Sequence, residues 1–324
     1  MLKKMINECN MTISLKSDSP WLIKDGRYEK NAFVKEMNLE SRKKEYPDAV
    51  FICTDNDDVF GNAIKTKNYN SLNHYMPGTS LRGVFRSHTE KIAKTFLDGK
   101  DNYTICCDPF DKKLSCSNRL EKSKPLTPYK DSCLVCKLFG STASGSRIEI
   151  GDAEITEKKV IIRDGIGIDR VTGAVKSGAN FRFQLLENCK AEVKVRIRNF
   201  ELWQLGLLAY VFQDLMDGYI SVGFGTTKGY GKTLGERISI KLTYLGNINP
   251  AGEIKDVGAL SSPIDIDKYC FIPGNLGKKE YLNPLADENL SIRKDYEITD
   301  VPQFIKDVAP EWNKALESAL TLES

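Results

Sequence analysis

Cysteine is where this chain of 324 residues concentrates its chemistry: of nine cysteines, five fall between Cys106 and Cys136. Cys107, Cys116, Cys133 and Cys136 follow the spacing Cys-x8-Cys-x16-Cys-x2-Cys, with Cys106 as a spare sulfur. A Cys-x-x-Cys knuckle puts two thiolates on one tetrahedral zinc, and two more nearby complete a closed, structural site. Unliganded cysteines belong in apolar surroundings, whereas this segment is polar, so the pattern reads as zinc binding. A redox pair at Cys133 and Cys136 is the weaker reading, because no strand leads into it. Cys9, Cys53, Cys189 and Cys270 read as core or incidental residues.

A glycine-rich stretch, Gly218-Tyr-Ile-Ser-Val-Gly-Phe-Gly-Thr-Thr-Lys-Gly-Tyr-Gly-Lys232, invites a nucleotide-binding reading that fails on spacing. The phosphate-loop pattern would need glycine where Thr226 stands, and the dinucleotide pattern finds Lys228 where its third glycine belongs. Two roles stay open. The loop is a tight turn, or it lets backbone N–H groups approach a phosphate chain while Lys228 and Lys232 add charge. Asp55-x-Asp57-Asp58 starts like a calcium loop but lacks the glycine and the closing glutamate, and reads as a solvated acidic loop. The two histidines offer little for catalysis: His74 has no partner in view, and His88 reads as an interfacial side chain on a helix. Asp25, in Trp21-Leu-Ile-Lys24-Asp25-Gly26, reads on residue types alone as a turn-former.

These groups need a scaffold, and periodicity outlines one. Residues 10–16 alternate as a strand, and residues 26–75 show no steady period and read as a mostly extended, irregular insertion with a short strand near 49–52. After Pro77-Gly78, Thr79 and Ser80 can cap a helix whose apolar face is Leu81, Val84, Phe85, Ile92, Ala93 and Phe96. Residues 99–140 lack periodicity and read as the metal-held insertion. Residues 147–155 and 191–198 alternate as half-wet strands around a projecting hairpin. Asn199 can cap a helix over 202–216, and 238–242 alternates again. The order β, α, β, β, α, β is the ferredoxin-like split βαβ pattern of an α+β fold, with residues 1–245 as its body and 246–324 as an extension of unassigned role. Basic residues alternating on one face of a sheet make a frequent RNA platform, although a fold alone does not decide function.

Net charge is only +3, yet residues 158–198 carry ten Lys or Arg against four Asp or Glu, and residues 285–324 carry four against nine. A basic middle is thus masked by an acidic end. No window is apolar enough for a membrane span and the start lacks a signal-peptide core, so the expectation is a soluble, cytoplasmic protein without a disulfide framework.

Four segments, in order, resemble the RAMP superfamily: Met76-Pro-Gly-Thr-Ser-Leu-Arg82-Gly-Val-Phe-Arg86, Cys133-Leu-Val-Cys-Lys-Leu-Phe-Gly-Ser141, Arg163-Asp-Gly-Ile-Gly-Ile-Asp-Arg170-Val-Thr-Gly-Ala174, and the late glycine-rich loop. More narrowly, they resemble the repeating backbone subunit of type III CRISPR effector complexes, with the III-D branch as one candidate and the exact branch left open. The resemblance implies an RRM-like palm, a zinc-bearing insertion, and a thumb hairpin over residues 158–186. It also implies copies stacked along a guide RNA (crRNA), a complementary target RNA, and other effector subunits as partners. Lys24-Asp25-Gly26 falls where the family's catalytic loop carries the Asp that cleaves target RNA, which gives Asp25 the catalytic role and Mg²⁺ or a similar divalent ion as cofactor. RNA contacts map to Lys24, to Arg82 and Arg86, to the thumb through Arg163, Arg170 and Lys176, and to Lys228 and Lys232. Two alternatives remain: a guide-binding subunit in which Asp25 is inert, and a guide-processing endonuclease. The second wants a histidine near the glycine-rich loop, which the placement of His74 and His88 in the sequence does not offer.

Overall fold

The computed structural model describes residues 4–37, 45–97, 103–246, 248, 250–285 and 292–321. Its centre is β1 (Asn7–Ser17), in which Cys9, Met11, Ile13 and Leu15 alternate into the core. β1 is flanked on both sides by antiparallel partners. Met11 and Ile13 face Val195 and Val193 of β5 (Val175–Arg198) on one edge, and Ile240 and Ile238 of β7 (Lys232–Leu245) on the other. Matching apolar positions across three strands fixes the register, because a slip of one residue would turn every one of these side chains to the wrong face.

The remaining strands extend this sheet. β2 (Tyr75–Met76) pairs with β4 (Ala153–Ile168), β3 (Ile148–Ile150) with β5, and β6 (Ile220–Ser221) with β7. In the C-terminal part, β8 (Glu253–Lys255) and β9 (Asn275–Lys278) form a separate ribbon. β10 (Leu282–Pro284) and β11 (Arg293–Ile298) complete the order β10-β11-β7-β1-β5-β4-β2. The C-terminal extension is therefore part of the main sheet rather than an appendage.

Helices complete the core. α1 (Ala32–Glu36) and α2 (Asp57–Thr66) lie in the stretch whose sequence shows no period. Phe60, Ala63 and Ile64 of α2 close a satellite core with Tyr28, Val34 and Tyr69. The acidic run read as a solvated loop instead opens α2: Asn56 caps it, and Asp57 and Asp58 occupy its first turn, where carboxylates favour the helix dipole. α3 (Gly78–Thr95) buries Leu81, Phe85 and Ala93 as expected, but neither Thr79 nor Ser80 caps it. The Gly78 N–H donates to Asp152 Oδ1 at 2.7 Å, and a Cβ at Gly78 would stand 2.2 Å from the Ile150 carbonyl oxygen, so only glycine lets the helix start against that turn.

α4 (Cys116–Ser123) and α5 (Leu134–Phe139) carry the cysteines. α6 (Leu202–Met216) has the expected bounds, but its cap is Glu201, reciprocally bonded with Gln204. Asn199 instead adopts a left-handed φ of 50° and accepts the Ile6 N–H. α7 (Pro263–Tyr269), α8 (Val301–Val308) and α9 (Glu311–Thr321) follow, and Trp312 of α9 packs on Trp203 of α6 with ring centroids 6.1 Å apart. No helix among the described residues is long and apolar enough to cross a membrane.

Candidate metal centre and nucleic-acid surface

The four expected cysteines converge. The Sγ atoms of Cys107, Cys116, Cys133 and Cys136 all lie within 4.8 Å of one another and are buried, with Cys107 and Cys136 at 3.7 Å. Four sulfurs about 2.3 Å from a tetrahedral zinc would sit about 3.8 Å apart, so the donor set and its spacing fit the ion. Local structure explains the convergence. Cys133 caps α5 and its sulfur accepts the Cys136 N–H at 3.3 Å, while the Cys116 sulfur accepts the Cys133 N–H at 3.2 Å. Such N–H···S bonds stabilise thiolates. The Cys116 thiol is pulled far below its ordinary value by hydrogen bonds from Cys107, Cys133 and Cys136, while the Cys133 thiol is pushed up by Cys107, Cys116 and Cys136. A cation at the centre would relieve that sharing and let all four ligate. Cys106 stands outside, its thiol turned to the Cys107 carbonyl. The cluster can therefore hold a metal such as zinc.

Arg82 and Arg86 of α3 reach this knuckle. Arg82 donates to the Phe139 carbonyl. Arg86 donates to the Gly140 carbonyl at 3.1 Å, to Cys136 Sγ at 3.4 Å and to Glu90 at 2.8 Å. Burial lowers the Arg86 pKa, but the Glu90 carboxylate together with Cys136 and Cys133 raises it above its ordinary value. Both arginines thus clamp α5 onto α3.

Asp25 lies in a loop crossing the root of the β4–β5 hairpin, where Trp21 pairs with Leu186 and Lys24 with Phe51. Its side chain is only 2% exposed and is gripped by Arg27 through Nη2 at 2.8 Å, Nε at 3.1 Å and the backbone N–H at 2.8 Å. Arg27 is anchored in turn to the carbonyls of Cys53 at 2.8 Å and Asp55 at 2.7 Å. Its pKa is raised, chiefly by the bond to Asp25. Among the described residues, the cysteines form the only cluster of three or more His, Cys, Asp or Glu ligand atoms. Both carboxylate oxygens of Asp25 are held by Arg27, so as arranged they offer no preformed Mg²⁺ site.

The same loop meets the glycine-rich turn. The Phe224 N–H donates to the Leu22 carbonyl at 2.6 Å, and Gly223, at φ 85°, leaves no room for a Cβ, which would lie 2.2 Å from the Leu22 oxygen. This close approach gathers an aromatic cluster that the sequence reading did not single out. Phe181 and Phe183 of β5 stack with centroids 6.3 Å apart, and Phe183 meets Phe224 at 5.7 Å and Tyr230 at 6.5 Å. Two lysines cover these rings. Lys24 Nζ lies 3.7 Å over Phe224, and Lys228 Nζ lies 4.9 Å over Phe181 and 5.0 Å over Phe183. Beyond them the hairpin projects, with Arg163, Arg170 and Lys176 exposed toward its tip and Arg163 3.7 Å from Glu187. Lys232 pairs with Asp18 at 2.7 Å.

A polar groove of 630 Å³ runs between α3 and the glycine-rich turn, lined by Ser80, Ser87, His88 and Lys91 on one side and by Tyr219, Gly223 and Thr226 on the other. His88, which the sequence reading left as an interfacial residue away from the glycine loop, shares this groove with it and contacts Asp214 at 2.6 Å.

A family profile described as the RAMP superfamily matches residues 14–233, more than half of the chain. The chain belongs to the RAMP superfamily. No curated protein matches it. The match runs from within β1 to the start of β7 and so contains the knuckle, the hairpin, the Asp25 loop and the groove of this RAMP protein. RAMP proteins are generally associated with binding CRISPR guide RNA.

The signal for the missed aromatics in this RAMP protein was present but faint. Phe181 and Phe183 stand two apart in a strand, as residues on one face must, while Phe224 and Tyr230 interrupt a glycine run. Only the fold brings the two segments together.

Proposed function

We propose that this RAMP protein is a guide-RNA-binding backbone subunit of a type III CRISPR effector complex, repeated along the RNA beside other effector subunits. The observation that carries this reading is the aromatic and basic surface at the hairpin root, where Lys24 and Lys228 lie over Phe181, Phe183 and Phe224. Rings offer sequence-tolerant stacking to bases, and lysines neutralise phosphates without reading base edges. The strand order β7-β1-β5-β4, with α3 and α6 in the two crossovers, supports a ferredoxin-like, RRM-like palm over residues 1–245, and the cysteine cluster supports zinc in the insertion of residues 99–140. Residues 99–102 of that insertion lie outside the described ones. The long β4–β5 hairpin supports the thumb over residues 158–186. The test is fluorescence anisotropy with single-stranded RNAs of unrelated sequence. Equal affinities that fall steeply with salt support the reading, and no binding at low salt refutes it.

Target cleavage at Asp25 is the catalytic part of the proposal. Once Arg27 swings to a phosphate, the Asp25 carboxylate can accept the proton of an adjacent 2′-hydroxyl. The 2′-oxygen then attacks in line, the P–O5′ bond breaks, the 5′-oxygen takes a proton from water, Asp25 returns its proton to solvent, and a 2′,3′-cyclic phosphate remains. A specific observation favours the alternative in which Asp25 is inert: its carboxylate is buried and doubly held by Arg27. Asp25→Asn in the assembled complex separates the two. Loss of cleavage with intact RNA binding assigns the chemistry to Asp25, and unchanged cleavage leaves the loop a structural one.

A further inference from the structure

A second pocket lies on the far side of the knuckle, where α4 and α5 meet the C-terminal extension outside the family match. It has a volume of 400 Å³. Leu134, Ile272, Ala315 and Ala319 give it an apolar wall, and Arg119, Lys130 and Lys137 line it as cations. A pocket of this size, mostly apolar with a few placed polar groups, is the usual form of a small-molecule site.

Lys137 is what sets this pocket apart. It is buried at 9% exposure on a helix that the cysteines hold in place. Among the described residues its ammonium has no carboxylate or carbonyl partner, only the face of Tyr129 at 5.6 Å. The nearby buried carboxylate, Glu201, is already taken by Arg147 at 3.5 Å and by the Tyr129 hydroxyl. A buried cation without a close counterion is costly to keep. Its position favours an anion that arrives from outside. Against the three cations stands one lining carboxylate, Asp131, which leaves a surplus of two positive charges. A phosphate monoester, at about −1.5 to −2 near neutral pH, matches that surplus better than a single carboxylate does.

We propose that this pocket binds a phosphate monoester carried on an apolar or flat body, as in a nucleoside monophosphate or the phosphorylated end of an RNA. The phosphate meets Lys137, Lys130 and Arg119, and the body lies against Leu134, Ile272 and the alanines of α9. The site is separate from the hairpin surface and does not depend on the guide-binding reading.

Isothermal titration of the zinc-loaded full chain with adenosine 5′-monophosphate and with adenosine tests it. The monophosphate should bind roughly tenfold or more tightly than adenosine, since charge-assisted bonds to phosphate are lost in the latter. Lys137→Met should weaken the monophosphate by a similar factor. Ala319→Trp, which fills the apolar wall and leaves every charge in place, should abolish binding, and it decides the matter if Lys137→Met fails to fold. A 5′-phosphorylated RNA tetramer that binds where its 5′-hydroxyl counterpart does not identifies an RNA end as the ligand, and binding of the mononucleotide alone identifies a free nucleotide. The proposal is overturned if the monophosphate does not bind, if adenosine binds equally, or if folded Lys137→Met and Ala319→Trp both bind it like wild type. Binding of a guide-length RNA with hydroxyl ends, measured on the same variants, should stay unchanged, so failure here leaves the guide-binding reading standing.

Discussion

The cysteine knuckle and the β4–β5 hairpin are both held out from the central sheet, and they are held by opposite means. The knuckle has short helices of eight and six residues and draws its order from four buried sulfurs converging on a point. The hairpin has strands of sixteen and twenty-four residues and draws its order from a ladder of backbone hydrogen bonds. The cations that back the knuckle, Arg82 and Arg86 of α3, are turned inward and bonded to the α5 segment. The hairpin and the glycine turn leave theirs exposed, together with Ile166, Ile168, Val171 and Val175. A ladder satisfies the backbone without a core, so the hairpin can spend its side chains on a partner.

The largest expected effect follows from breaking that point. Cys133→Ser combined with Cys136→Ser removes two of the four candidate ligands, and with them any metal held there, whose binding energy would be folding energy for such a segment. Leu134, Leu138 and Phe139 belong to the main core, so the loss should reach several kcal/mol and not stay confined to the loop. Metal analysis should show the zinc gone, and limited proteolysis should cut between residues 108 and 132. Unchanged melting would mean the knuckle is held by packing alone, which would erase the contrast with the hairpin.

The hairpin's root should respond to acid in place of metal removal. His74 is buried beside it: its carbonyl accepts the Ile155 N–H, and neither ring nitrogen has a hydrogen-bond partner among the described residues. Burial first, and then the Lys158 ammonium, lower its pKa from 6.5 to about 3. The unfolded chain therefore binds the proton more readily. Stability from the neutral ring is complete above the unfolded value of 6.5 and declines as pH falls toward 3. The decline is on the order of 4 kcal/mol. His74→Phe should flatten this limb in denaturant titrations at pH 4 and pH 7. An unaltered limb would place the acid sensitivity elsewhere.

What the sequence made legible follows the same division. Period-two alternation located β1, the end of β5 and part of β7, and helical spacing located α3, because one buried face leaves a periodic trace, whereas α6 was located as a helix-length run apolar nearly all round. Cysteine spacing located the knuckle, since ligands must recur at short intervals. Less legible was α2, whose apolar residues serve a satellite core and whose acidic first turn resembles a loop. The aromatic cluster was hidden because Phe183 and Phe224 are 41 residues apart in sequence and meet only through the close approach at Gly223. Nor could residue type separate an arginine bonded inside, such as Arg86, from one left free for RNA.

Arg86→Ala sharpens that last distinction. It removes bonds to Gly140, Cys136 and Glu90, and charged hydrogen bonds of this kind contribute about 1.5–3 kcal/mol. Chemical denaturation should show a loss in that range, while the salt dependence of RNA binding keeps its slope. A slope that drops would mean Arg86 leaves the knuckle to meet phosphate, as the family resemblance implies, and that the knuckle too faces the RNA.

The smallest effect, and the finest test, belongs to Lys228. Its ammonium lies over three rings, yet it is exposed, so each cation–π contact contributes no more than about 0.5–1 kcal/mol and can be exchanged for a phosphate. Lys228→Ala should change stability by less than about 0.5–1 kcal/mol, because truncating an exposed residue leaves nothing buried and unpaired. The log–log slope of RNA affinity against salt should fall by about 0.7, the value for one phosphate contact on a single strand. Lys228→Arg should restore the slope, since guanidinium keeps both the charge and the stacking. The opposite pattern, lower stability with an unchanged slope, would make Lys228 a cover for the rings and not a contact for RNA. The hairpin root would then be ordered from within, as the knuckle is, and its free cations would be confined to the tip at Arg170 and Lys176.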